Sequence, residues 1–340
     1  MKKKSVLLMT IILCLFAISL LNAQEAEIPV KTPEIHDFYP IIQFLASEEL
    51  EGREPGTKGG KIAAYYIASI MNNLGLLPYN SNHSTGRELQ EYYQNFSFFR
   101  LSKGDTIISS LDKSYRDYKV DLEIPGVNVI GILPGIDTSK SVIIGAHYDH
   151  LGMQGDSIFY GADDNASGVA GVLSMAEKWT ETGIKPAVNI VFTCWTAEEK
   201  GLIGSEYFAK HISKPESILL YMNMDMISRS APEDTLRKIL SIGIRKSDFL
   251  LRQYSEESNK KLSQPFNLDL WEVDGHTGSD YGSFTAINVP VMTFFSGFHD
   301  DYHSPRDIYK KTDPDKMYNV LKLVNGILFN YLNKIGKYTD

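Results

Sequence analysis

Apolar residues come in short uninterrupted runs through the middle and end of the chain: "VNVIGIL" (127–133), "SVIIGAH" (141–147), "VNIVFTCWT" (188–196), "SILLYMNMDMI" (217–227) and "VPVMTFF" (289–295). Runs of this length that are apolar on both faces predict strands buried between two layers. Between them the pattern changes to a helical period. Residues 166–181 place Val169, Val172, Leu173 and Ala176 on one face, and a second helix is expected from about Gly204 to His211. Residues 314–335 close the chain as an amphipathic helix carrying Met317, Val320, Leu321, Val324, Ile327 and Leu328. Upstream, the segments around Phe38 to Leu45 and Lys58 to Leu76 also read as helices, separated by the Pro/Gly turn "EGREPGTKGG" with Thr57 as cap. No internal repeat or low-complexity linker is visible. Buried strands separated by helices predict an α/β fold, a three-layer α/β/α sandwich.

The chain has 340 residues, 43% hydrophobic and 22% charged, which suits a globular enzyme with a full core. Its start is different. Lys2, Lys3 and Lys4 precede an uncharged apolar run from Ser5 to Leu21, followed by Asn22-Ala23-Gln24. This is the pattern of a signal peptide cut near Ala23, so residues 1–23 are expected to direct export to a periplasmic or extracellular location. The run is also long enough to serve as an uncleaved anchor. Cys14 follows Leu13, where a lipoprotein signal would have a small residue, which argues against lipidation. Losing the three lysines takes the formal charge from −8 to about −11. An acidic chain without basic runs is a poor candidate for nucleic acid, and no such partner is expected. Cys194 is then the only cysteine, so no internal disulfide forms, and its apolar setting predicts a buried, inert thiol.

In open α/β sheets ligands gather beyond the carboxyl ends of the strands. His147-Tyr148-Asp149, Glu198-Glu199 and Asp225 each stand at the end of an apolar run, and "SGFHDDYHSPRD", with His299 and His303, follows the last one. "FYGADDNASGVAG" (159–171) brings Asp163 and Asp164 to the head of a predicted helix. Singly, each has an ordinary explanation: a satisfied polar residue, a solvated Glu-Glu face, an Asp/Asn N-cap. Together they concentrate more carboxylates than could stay ionised side by side, because each raises its neighbours' pKa. Divalent cations relieve that repulsion, and carboxylates with imidazoles suit zinc. Two metals about 3.5–4 Å apart can share one carboxylate, leaving one acid and one histidine for each. The chain has that inventory, with one glutamate to spare as a base.

The motifs His-Tyr-Asp, Gly-Ala-Asp-Asp-Asn-Ala-Ser-Gly, Glu-Glu-x-Gly-Leu-x-Gly-Ser, Asn-Met-Asp-Met and Tyr-His-Ser-Pro-x-Asp, in that order, resemble those of the co-catalytic zinc exopeptidases. That family includes bacterial leucyl aminopeptidase, aminopeptidase S, glutamate carboxypeptidase, the transferrin receptor and glutaminyl cyclase. The likeness runs from about Leu45, through "LASEELEGREPGT", to Asp315. It implies a central mixed, mostly parallel sheet and a single domain over residues 24–340. Residues 100–126 are too few for the protease-associated insert of many members.

Carried over position by position, the resemblance implies two zinc ions. His147 and Asp225 would bind one, Glu199 and His303 the other, and Asp164 would bridge them. Glu198 would be the general base and Asp149 would orient His147. Asp163 would be structural, and a cis peptide would follow Asp164. His276, in "DGHTGSDYGSF", falls near the place where aminopeptidases often have a tyrosine, and is expected to polarise the scissile carbonyl; Tyr281 stands where many relatives have histidine. His150 and His299 are expected to make local hydrogen bonds, and His36, His83 and His211 to lie at the surface. The implied activity is that of an exported aminopeptidase acting on peptides through a hydroxide shared by two metals, with no stable membrane partner beyond a retained signal anchor. A one-zinc glutaminyl cyclase and a non-catalytic binding relative are the alternatives. The intact His147 and "DDNASG" favour the peptidase.

Overall fold

The structure is a computed structural model that describes residues 30–79, 88–102, 106–275 and 277–336. The expected signal peptide, His83 and His276 therefore lie outside the described residues. In chain order the helices are α1 (Ile35–Leu45), α2 (Lys58–Asn73), α3 (Gly168–Glu181), α4 (Ile203–His211), α5 (Phe249–Lys260), α6 (Tyr281–Thr285) and α7 (Pro314–Gly336). The strands begin with β1 (Leu77–Pro78), β2 (Tyr93–Leu101), β3 (Ile107–Ser109), β4 (Val120–Leu133), β5 (Asp137–His147), β6 (Gly152–Gln154) and β7 (Ser157–Phe159). They continue with β8 (Val188–Trp195), β9 (Ile218–Met224), β10 (Ile239–Ile244), β11 (Asn267–Glu272) and β12 (Val291–Phe295).

Ten strands form one mixed sheet in the order β11-β10-β12-β9-β5-β8-β4-β2-β3, with β1 paired to β4. Its centre, β12-β9-β5-β8, is parallel. These four strands are four of the five apolar runs of the sequence, and all but a few of their residues in the sheet centre are buried. β6 and β7 make a separate hairpin. Helices cover both faces. α1, α3 and α7 pack together on one side, where Trp179 donates its indole N–H to Asn325 at 3.0 Å. On the other side α4 and α6 cover an aromatic cluster of Trp195, Phe208, Tyr221 and Phe284. The arrangement is the predicted α/β sandwich. Thr57 caps α2 as expected, its hydroxyl accepting from the Gly60 N–H at 3.2 Å.

Among the elements not legible in the sequence are β2, β3, β10, β11 and α5. The four strands lie towards the two edges of the sheet. β11 has no fully buried residue, and α5 buries only Leu251, Ser255 and Ser258, so neither leaves a strong apolar period. Their pairing partners make them regular.

Candidate metal centre

Parallel strands end at the same edge, and in this sheet polar residues follow the end of each central strand. His147 is the last residue of β5, paired in register with Trp195, the last of β8. Glu198 and Glu199 come three and four residues after Trp195, Asp225 directly follows β9, and His303 lies in the loop after β12. Three backbone positions here sit in the left-handed region: Ala197 (φ 58), Met226 (φ 53) and His303 itself (φ 50). Such positions hold only where the surroundings over-determine them, and they gather at functional sites.

Asp164 reaches the same edge on the turn Ala162–Ser167 that leads into α3, and the Asp164–Asn165 peptide is cis. The N-cap reading of this turn belongs to Asn165. Its Oδ1 accepts from the Gly168 N–H at 2.9 Å and the Met226 N–H at 3.2 Å, while its Nδ2 donates to the Met224 carbonyl at 3.0 Å. Asp163 turns away and accepts the backbone N–H groups of Ser228 (2.9 Å) and Arg229 (3.1 Å). Asp307, the last residue of the Tyr-His-Ser-Pro-x-Asp motif, accepts the N–H groups of both Asp163 (3.0 Å) and Asp164 (3.1 Å) through one oxygen.

These elements bring six of the seven site residues named from the sequence together: His147, Asp164, Glu198, Glu199, Asp225 and His303. The seventh, His276, is outside the described residues. His147 Nε2 stands 3.4 Å from Asp164 Oδ1 and 3.5 Å from Asp225 Oδ1. His303 Nε2 stands 3.2 Å from Asp164 Oδ2 and 3.2 Å from Glu199 Oε2. Asp164 thus offers one oxygen to each half. Around a tetrahedral zinc with bonds of about 2.0–2.1 Å, neighbouring donor atoms are roughly 3.3–3.4 Å apart. Both halves have about that spacing, so the donor set fits zinc in both chemistry and separation. Glu198 is set back, with Oε2 4.0 Å from His147 Nε2.

Further polar contacts position these donors. Ser279 donates its hydroxyl to Asp225 Oδ2 at 2.6 Å and accepts from Asn223 Nδ2 at 2.9 Å. Asp149 differs in detail from its expected role. The atom nearest His147 Nδ1 is its backbone oxygen, at 3.2 Å, while the carboxylate is 3.8 Å away and accepts the Glu198 N–H at 3.2 Å. His150 is also not a local hydrogen-bonder: it is fully buried, with Nδ1 2.7 Å from Glu199 Oε1. His299 lies 3.5 Å from Asp163 Oδ2, and Cys194 is buried as expected.

The metal-free electrostatics show how strongly these groups interact. Burial opposes charge on His147, yet the carboxylates of Glu198 and Asp225 hold its pKa well above the usual imidazole range. Burial likewise opposes charge on His303, and Asp164 and Glu199 outweigh it, raising that ring to about 10. Asp164 is held well below the usual carboxylate range: burial is outweighed by hydrogen bonds with His147 and His303. Glu199 falls to about 2 against burial, through His150 and His303. Glu198 moves the other way, pushed well above the usual range by burial, which His147 opposes and the charges of Asp280, Asp225 and Glu199 reinforce. Burial also raises Asp149 to about 6 and Asp280 to about 7. Two adjacent glutamates are therefore driven apart by their surroundings.

Arg53, in the "EGREPGT" turn, has no mark in the sequence that sets it apart. It is fully buried and donates to four backbone carbonyls, those of Leu45, Tyr148, Tyr160 and Gly161, at 2.6–2.9 Å. It anchors the backbone on either side of the hairpin between His147 and Asp164. The donors open into a cavity of about 240 Å³, walled by Trp271, Phe295, Phe298 and Tyr302.

A sequence model described as peptidase family M28 matches residues 128–327. Leupeptin-inactivating enzyme 1 of Streptomyces exfoliatus is 30% identical over 174 residues, covering 51% of this chain and 36% of that one. A probable leucine aminopeptidase 2 of Aspergillus fumigatus is 37% identical over 178 residues, covering 50% of this chain and 33% of its own length. The match thus spans about a third of the length of these curated relatives. Among solved structures, a zinc aminopeptidase from Bacillus subtilis superposes with a TM-score of 0.64 at 16% identity, covering 88% of this chain and 96% of that one, and shares the fold.

Proposed function

The chain belongs to peptidase family M28, and on that premise we propose that it is an exported two-zinc aminopeptidase, removing N-terminal residues from peptides with a single catalytic domain over residues 24–340. The observation that carries the reading is Asp164, with one oxygen facing His147 and the other facing His303 at tetrahedral-corner spacing. His147, Asp164 and Asp225 would hold one ion; His303, Asp164 and Glu199 would hold the other. Zinc bound there would supply Lewis acidity and lower the pKa of a water. Glu198, set back from the donors, takes the proton of the attacking water and returns it to the leaving amine. The carboxylates around the cavity suit a protonated α-amino group. The aromatic wall of Trp271, Phe295, Phe298 and Tyr302 suits an apolar first side chain. Export is supported by the basic and apolar start of the sequence. Among the described residues no helix is long and apolar enough to cross a membrane.

The test is an assay of purified, zinc-loaded protein on leucyl anilide, its N-acetylated form and dipeptides, with and without chelator, alongside metal content per chain. Two zinc ions per chain, cleavage of the free amine, no cleavage of the acetylated substrate and loss of activity with chelator are expected. One zinc per chain with ammonia released from N-terminal glutamine would instead establish the cyclase. No metal and no turnover would leave a binding protein.

A further inference from the structure

His150 is an imidazole beside this site without an assigned task. It follows His147 by three residues, where the chain leaves β5, and its side chain is fully buried. Its Nδ1 lies 2.7 Å from Glu199 Oε1 and 3.9 Å from Asp164 Oδ2. Across the same carboxylate, His303 Nε2 lies 3.2 Å from Glu199 Oε2. Glu199 is therefore held between two rings, one oxygen to each, and the rings stand 5.8 Å apart and edge to face. His150 Nδ1, His150 Nε2 and Glu199 Oε1 are all buried, and none has an aligned hydrogen-bond partner among the described residues. His150 Nδ1 and Glu199 Oε1 stand 2.7 Å from one another, in a setting where a buried polar atom without a partner is unfavourable. The ring is also seated closely. Gly161 has φ +55, and a Cβ there would fall 2.5 Å from His150 Cγ, so the chain keeps a bare backbone against the imidazole.

We propose that His150 is a positioning residue for the second metal: its Nδ1–H engages Glu199 Oε1 and leaves Oε2, beside His303 and Asp164, as the single oxygen offered to the ion. The inference rests on the two-metal reading. A glutamate with both oxygens free can swing or bind through both. One oxygen tied to a buried donor fixes the carboxylate plane and limits Glu199 to one donor atom. The arrangement reverses the usual order, in which a carboxylate orients a ligating histidine.

The test compares His150→Leu with His150→Asn. The two replacements are similar in size, so the loss of the ring's volume is common to both. Only asparagine returns an N–H donor close to the position of Nδ1. Zinc affinity and stoichiometry are read by competition with a chromophoric chelator. His150→Leu is expected to retain one zinc as wild type does and to bind the second about 10–100-fold more weakly, the scale for loss of a ligand's partner. His150→Asn should recover most of that loss. Equal weakening in both variants, or none in His150→Leu, overturns the proposal. Should neither variant fold, nitrogen-15 NMR of the histidine rings in the zinc-loaded wild type decides. A protonated His150 Nδ1 supports it, and a metal-bound Nδ1 overturns it. A wild type that takes up fewer than two zinc ions is a failure of the two-metal reading, and is seen before any variant is compared.

Discussion

Adjacent residues can have opposite chemistry when their surroundings differ, and Glu198 and Glu199 are the clearest case in this chain. Glu199 has two imidazoles within 3.2 Å and is held at about 2, while Glu198 is buried and pushed well above the usual range. Glu198→Gln is expected to keep both zinc ions while turnover falls by about 10²–10⁴, the scale for a lost general base. Metal analysis with steady-state kinetics checks this, and full activity would remove Glu198 from the mechanism. Arg53 gives a prediction of a different kind. Burial lowers its pKa to about 10, opposed by the charges of Asp149, Asp164, Asp307 and Glu199, so the guanidinium stays charged at neutral pH. Arg53→Leu leaves four carbonyls without their donor and removes a buried cation from an acidic site. A loss of about 3–5 kcal/mol is expected in urea denaturation, and Arg53→Lys should recover little of it, since one ammonium cannot reproduce the fork.

Among the elements, the loop after β12 carries the most consequence, because it holds His303 in a strained conformation and clamps the turn bearing Asp164. Asp301 anchors it, accepting from Arg229, Arg306 and Lys311, each at 2.8 Å. Burial would raise the Asp301 pKa, but hydrogen bonds from Lys311, Arg229 and Arg306 outweigh it and hold the group well below the usual carboxylate range. A carboxylate whose folded pKa is depressed contributes stability above its unfolded value, about 3.9, and loses it as pH falls through the folded pKa. Asp301→Asn should therefore melt below wild type at pH 7, by about 1–2 kcal/mol given that two of its cations are largely solvated. The difference should shrink as pH falls below about 4. A constant gap down to strongly acid pH would show that the ion pairs are not its source.

For the molecule as a whole, the site concentrates charge that the fold alone does not neutralise. Metal bound only by the folded chain must stabilise it, by about 2.7 kcal/mol per site at a free concentration one hundred times the dissociation constant. Calorimetric melting should accordingly shift upward with zinc and downward with chelator. Ligating imidazoles must also be neutral; with the metal-free His303 ring raised to about 10, protons already compete with zinc at neutral pH, and zinc should leave as pH falls on through about 6.5. Zinc content measured after dialysis across this range tests the point. Full retention well below it would count against His147 and His303 as ligands.

The sequence by itself determined the sheet's centre and the site's chemical inventory. Strands buried on both faces must be apolar throughout, so β5, β8, β9 and β12 stand out, and polar residues that follow such runs fall at one edge of a parallel sheet. The family resemblance, rather than spacing, set the expectation for Asp164 over Asp163 and for Glu198 over Glu199. Only the tertiary structure decided the rest. β10 is set by its pairing with β11 and β12, and β11 and α5 bury few residues of their own. Arg53, Asp307 and His150 act through atoms roughly 50–150 residues away, or on the backbone, and nothing local distinguishes a buried arginine in a Pro/Gly turn from a solvated one. Apolar burial is written along the chain because it is set residue by residue. The partner of a buried polar group is set by which segments meet, and that is known only once the chain is folded.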